Sequence, residues 1–163
     1  LELTTGQVGF VYGAVGIIGL TLGGLLGGFV AAKDGLKKWL WWMFMAINIP
    51  HVLYIYLAYA QPDHFIIINA CVFGEQFGYG FGFTAYMLYM IYVSQGTHKT
   101  AHFAITTGFM ALSMMIPGMI SGWIQEQIGY QLFFVWILLT MIPGFFIVRM
   151  LNIDPEFGKK KKE

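Results

Sequence analysis

Four long stretches of this chain are free of Asp, Glu, Lys and Arg: residues 3 to 32, 39 to 62, 100 to 125 and 127 to 148. Each exceeds the ~20 residues that carry a helix across ~30 Å of hydrocarbon. A fifth apolar stretch, residues 65 to 93, is broken by a single charge at Glu75. The pattern predicts an all-α integral membrane fold of five transmembrane helices, at about 7–32, 39–60, 65–93, 103–124 and 132–151. Residues 1–158 then form one bundle, and 159–163 a solvated basic tail.

Within the first span, Gly9, Gly13, Gly16, Gly19, Gly23, Gly24, Gly27 and Gly28 recur at steps of three and four. Small residues at that spacing let a second helix approach closely, which favours packing over any ligand role. Thr4 and Thr5 are N-cap candidates. Trp39, Trp41 and Trp42 open the second span as interfacial anchors. At its middle, Asn48, Pro50 and His51 are costly in lipid; Pro50 predicts a kink, and the two polar side chains can satisfy the freed backbone or face a cavity. Pro117-Gly118 and Pro143-Gly144 interrupt the fourth and fifth spans in the same way.

Composition agrees with the pattern. Of 163 residues, 58% are hydrophobic and 10% charged, against about 25% charged in soluble domains. Mean hydropathy is +0.68. The net charge of +1 gives no case for nucleic-acid binding, and one cysteine excludes an internal disulfide. The opening Leu1-Glu-Leu-Thr-Thr-Gly6 has no initiator Met and no signal-peptide pattern, which leads us to expect that the chain begins inside a larger protein.

Charge also orients the bundle. With five spans, all nine basic residues (Lys33, Lys37, Lys38, Lys99, Arg149 and Lys159 to Lys162) fall on one side. The opposite loops hold Glu2, Asp63 and Glu126. The positive-inside rule then places the C-terminus in the cytoplasm and the first residues outside.

The candidate chemistry centres on Glu75. It stands about ten residues into its span, at ~15 Å of helical rise, which is midplane depth. Intramembrane acids are rare and mark substrate or proton paths. On a helix, Glu75, Tyr79, Gly82, Tyr86 and Tyr89 or Met90 share one stripe, flanked by a Gly74, Gly78, Gly82 seam. On the functional reading, Glu75 lines a wet cavity and takes up a proton or pairs with a cation, while Tyr79 and Tyr86 offer apolar faces and polar tips to a sugar or peptide. On the structural reading, Glu75 only bonds a neighbouring helix. Depth makes an idle acid expensive and favours function. Asn48 and His51 are further cavity candidates.

Other residues carry less. His98 and His102 have metal-ligand spacing but no nearby Cys or carboxylate, and no metal site is expected. Cys71 reads as a small hydrophobe. No hydrolase pattern, phosphate loop or Cys pair is present, so neither an enzyme nor a cofactor is expected.

One loop resembles a known motif. Gly28-Phe-Val-Ala-Ala-Lys-Asp-Gly-Leu-Lys-Lys38 is similar to the loop that joins the second and third helices of each half in the major facilitator superfamily. Gly28, Lys33, Gly35, Lys37 and Lys38 fit that pattern; Ala32 stands where the family usually has an acid, with Asp34 two residues on. The segments Glu75-Gln-Phe-Gly-Tyr-Gly-Phe-Gly-Phe-Thr-Ala85, Thr100-Ala-His-Phe-Ala-Ile-Thr-Thr-Gly108 and Gly118-Met-Ile-Ser-Gly-Trp-Ile-Gln-Glu-Gln-Ile-Gly-Tyr130 resemble the peptide and acetyl-coenzyme-A transporter branch, and within it the AmpG-type permeases of bacteria.

The resemblance implies helices eight to twelve of a twelve-helix symporter of the bacterial inner membrane. Such a protein imports anhydro-muropeptides with protons by alternating access. Glu75, Tyr79 and Tyr86 would face the substrate path, with Gly28, Lys33, Asp34, Gly35, Lys37 and Lys38 as a gating loop. The partners implied are a muropeptide-like solute, protons, lipid and the N-terminal half of the same protein; the missing seventh helix also lines the cavity in this superfamily, so this chain should not transport by itself. A superfamily transporter of another solute (sugar, peptide or drug) and a non-transporting membrane scaffold subunit are the alternatives.

Overall fold

The computed structural model describes residues 3 to 160, every regular element of which is helical. Glu2, Lys161 and Lys162, which entered the charge count, lie outside the described residues. Helix α1 (Thr5–Phe10) runs through a π turn (Val11–Gly16) into α2 (Ile17–Asp34). Thr4 caps it: its hydroxyl accepts from the Gln7 amide and its own amide donates to the Gln7 side chain. After Gly35, α3 (Leu36–Asn48) and α4 (His51–Ala60) form a second rod, split at Ile49-Pro50. Then follow α5 (Phe65–Val93), α6 (Lys99–Thr140) and α7 (Ile142–Met150).

Three rods are long and apolar enough to cross a membrane: Thr5–Asp34, Leu36–Ala60 and Lys99–Met150. The last, 52 residues, would reach about 78 Å if straight, more than twice the hydrocarbon thickness. It does not run straight. Gly129 has φ 76° and ψ 163°, outside the helical region. Met110, Ser113 and Met114 before this break share a cavity with Val148 and Leu151 after it, so the rod folds back at Gly129.

Helix α5 is long but not among these three rods, and it holds the largest share of the buried side chains. Its neighbours replace the lipid. Gly19, Gly23 and Gly27 of α2 meet Phe73, Phe77 and Phe81 of α5 in the same order, so these helices run parallel. A Cβ on Gly23 would overlap the Phe77 carbonyl, and one on Gly80 would overlap the Leu20 carbonyl. On the other side, Gly78 lies against Ala46 and Pro50, and Gly82 against Met43 and Ile47, in the reverse order that marks α3–α4 as antiparallel to α5. Gly9, Gly13 and Gly28 touch no other part of the chain, so only some of the glycine run serves the seam. Gly118 and Gly122 are likewise open, and α6 and α7 bury no residue completely.

Two apolar clusters close the bundle. Ala31, Leu36, Met43, Phe81, Ala85 and Ile153 fill the end where the basic loop lies; Leu57, Ile68 and Cys71 fill the other. The segment after α7 docks on the basic end: the Leu36 amide donates to the Phe157 carbonyl at 3.0 Å and the Lys160 amide to the Ala32 carbonyl at 2.7 Å. Lys159 is half-buried there and pairs with Glu156 at 2.6 Å, while Lys160 stays exposed.

The seam predicts unequal glycines. Gly23→Ala lowers the Tm of the detergent-solubilised protein, at a cost of about 1–3 kcal/mol for overpacking. Gly28→Ala, on the same helix in open space, leaves Tm unchanged or raises it. Equal effects would contradict the packing described.

Candidate functional site

Glu75 lies between the two apolar clusters, 8% exposed, on the face of α5 turned to α4. The glycine contacts set its neighbours. With Gly78 against Pro50 and Gly74 against Leu53, the antiparallel register brings Tyr54 beside Glu75. The Tyr54 hydroxyl donates to Glu75 Oε2 at 3.0 Å, and Gln76 Nε2 donates to the same oxygen at 2.9 Å. Oε1 has no hydrogen bond and Glu75 no charged partner among the described residues.

Magnitudes show why both donors matter. An acid at the centre of a spanning helix costs about 2.5–3.5 kcal/mol. Hydrogen bonds to a charged group return roughly 1.5–3 kcal/mol each. Two neutral donors therefore offset the penalty without an ion pair. His51, one turn before Tyr54 on the same face of α4, has a buried Nδ1 with no hydrogen-bond partner. An unsatisfied buried group of this kind costs about 1–3 kcal/mol.

The candidates from sequence divide between two places. Asn48, Tyr79 and Tyr86 line one cavity of ≈ 360 Å³ between α3, α5, α6 and α7, together with Phe44, Tyr89 and Ser113. Tyr79 stacks on Phe83, and Tyr86 is 40% exposed. Asn48 also donates to the Phe44 carbonyl at 2.7 Å, so it occupies one acceptor near the helix break as well as the cavity wall. Glu75 and His51 are not among the lining of that cavity. Neither lines a second, larger one of ≈ 720 Å³ either; Tyr54, which bonds Glu75, does, together with Tyr12, Leu57, Ala58, Val72 and Phe134, and Gln61, Tyr130 and Gln131 rim it. Tyr54 stacks on Phe134 at 5.8 Å.

Tyr54, Gln76 and Tyr12 were not singled out from sequence. Gln76 was legible as the polar neighbour of the acid. Tyr54 was not, because which of the tyrosines of α4 meets Glu75 depends on the register that the glycines impose.

The loop Gly28, Lys33, Asp34, Gly35, Lys37, Lys38 is built around Asp34. Its Oδ2 accepts from Trp39 Nε1 at 3.0 Å, and Oδ1 pairs with Lys38 at 3.0 Å. The Trp39 hydrogen bond first, and then Lys38, hold the Asp34 carboxyl below the usual carboxylate range. Gly35 turns the chain at φ 89°, and a Cβ there would crowd the Pro155 carbonyl. Gly28, Lys33 and Lys37 make no such contact; Arg149, from α7, lies 4.8 Å over the Trp41 ring nearby.

Fold and site define a multi-pass helical membrane protein with an acid in its most enclosed helix. The known proteins to which this chain is similar agree. A Rickettsia bellii protein named as a proposed transporter, AmpG 1, is 28% identical over 82% of this chain and 32% of its own length. A Rickettsia conorii protein of the same name is 23% identical over 91% of this chain and 35% of its own length. The anhydromuropeptide permease of Escherichia coli is 22% identical over 94% of this chain and 31% of its own length. The chain thus spans about a third of the length of the curated relatives it matches. No family model matches the chain. No solved structure matches it significantly.

Because the Asp34 carboxyl is depressed in the folded state, its bonds to Trp39 and Lys38 contribute fully above the unfolded value and are lost as pH falls through the folded one. Tm of the wild type should therefore decline below about pH 4 more steeply than that of Asp34→Asn. Parallel Tm curves would show that Asp34 contributes nothing to the loop.

Proposed function

We propose that the chain is a section of a proton-coupled secondary transporter that imports anhydro-muropeptides or similar glycopeptides by alternating access. In this reading it supplies five crossings: α1–α2, α3–α4, α5, and the arms of α6–α7 on either side of Gly129. They correspond to helices eight to twelve of a major facilitator fold in the bacterial inner membrane, with the C-terminus in the cytoplasm. The observation that carries the reading is the Glu75 carboxylate, enclosed among apolar helices and held by neutral donors only. Such an acid can change its charge without breaking an ion pair, as a proton carrier must. The Escherichia coli relative, an anhydromuropeptide permease, supports the solute by analogy, and the Rickettsia relatives support transport.

In this scheme Tyr79, Tyr86 and Asn48 offer stacking faces and hydrogen-bond groups to the solute from the smaller cavity. Glu75 binds the proton, with His51 a further titratable group one turn before Tyr54 on α4. The docked loop around Asp34 and Gly35 serves gating. It couples the ends of α2 and α3 to the segment after α7, so those elements move together. The other helices of a longer protein would complete the solute path.

Membrane vesicles carrying the whole gene product should accumulate radiolabelled anhydro-muropeptide when a proton gradient is imposed. Glu75→Gln should cut gradient-driven uptake at least about ten-fold, the scale expected for losing an essential proton acceptor. Retained uptake with unchanged pH dependence would remove the proton role. No accumulation by folded wild type would remove the solute.

A further inference from the structure

The larger cavity is not accounted for by the solute site. It lies on the opposite side of the Glu75 cluster from the Tyr79–Asn48 cavity, and its rim residues Gln61, Tyr130 and Gln131 are exposed at the end of the bundle that carries Asp63 and Glu126. Tyr54 lines it, and the Tyr54 hydroxyl donates to Glu75, which is not among the lining residues. A volume of ≈ 720 Å³ holds many waters at about 30 Å³ each. Tyr54 is thus the residue, among those described, that both lines this exposed, polar-rimmed cavity and bonds Glu75.

From this geometry we infer that the cavity is the proton entry of the protein and that Tyr54 is the relay between it and Glu75. This rests on the reading of Glu75 as the proton-binding acid. A hydroxyl can donate one hydrogen bond while accepting another, so it can pass a proton without a net change in its own charge. A hydronium ion in the cavity gives its proton to the Tyr54 oxygen as the Tyr54 proton moves to Glu75 Oε2. The hydronium becomes water, the tyrosine is restored, and the carboxylate becomes a neutral carboxyl. Gln76 continues to donate to the acid and keeps it aimed at Tyr54.

The groups that face this step are few. Tyr12 of the π turn and Tyr130 beyond Gly129 line the cavity; His51 shares the Tyr54 face of α4; Cys71 lies one turn before Glu75 on α5. The π turn adds a local reason: such turns widen a helix by one residue, and this one turns Tyr12 into the cavity beside Tyr54. Phe134, stacked on the Tyr54 ring, holds the hydroxyl in place when the ring carries no other polar contact.

The test follows the carboxyl proton itself. In the purified full-length protein, infrared difference spectra over about pH 4 to 9 should contain a carboxyl band that Glu75→Gln removes. After transfer to D2O that band shifts as the proton exchanges. Tyr54→Phe keeps the ring on Phe134 but removes the relay, and should slow the exchange at least about ten-fold. Ala58→Phe, which fills the cavity from one turn beyond Tyr54 on α4, should slow it as well. Wild-type exchange rates in both variants would overturn the relay, as would the absence of any carboxyl band removed by Glu75→Gln. The outcome is separable from the transport reading: normal gradient-driven uptake by Glu75→Gln would overturn coupling through the acid while leaving the exchange result intact.

Discussion

Helix α5 can sit between two neighbours because glycines on both sides remove the side chains that would hold the backbones apart. Gly19, Gly23 and Gly27 of α2 and Gly80 of α5 form one seam, and Gly78 and Gly82 form the other against α3. In lipid there is little hydrophobic gain from bringing helices together, so close backbone approach and the dispersion contacts it allows must hold such a bundle. This contact fixes much else. It lets a helix rich in Gly, with Asn69, Glu75 and Gln76, remain in the apolar interior although lipid would not accept it.

That enclosure explains the state of Glu75. The same register that sets Gly78 on Pro50 sets Tyr54 on the carboxylate, so packing and polar satisfaction come from one arrangement. The acid has two neutral donors on one oxygen and none on the other. Neither donor carries a charge, so the acid is satisfied without an ion pair. The cavities on either side differ in character: one is walled by aromatic and amide groups, and the other is rimmed by polar residues at the acidic end of the bundle.

Membrane character was plain in the sequence, because charge-free stretches of 20 residues and more leave no other reading. So was the weight of Glu75, a lone charge within an apolar segment. The partners of the acid were not legible, since they depend on helix register, and register depends on which glycines meet a backbone. Gly23 and Gly28 look alike in sequence, yet one is in the seam and the other faces open space. Asn48 and His51, three residues apart on either side of the break at Ile49-Pro50, likewise lie in different surroundings: Asn48 lines the smaller cavity and His51 does not. The docking of residues 153 to 160 on the basic loop was also hidden, because Ile153 and Phe157 stand outside any periodic segment.

The most direct measurement of the central claim is proton movement on addition of solute. De-energised, right-side-out vesicles carrying the whole gene product would be placed in weakly buffered medium, and its pH recorded as anhydro-muropeptide is added. The account predicts a rise in external pH as protons enter with the solute, absent in vesicles without the protein. Entry of solute with no accompanying pH change would contradict it.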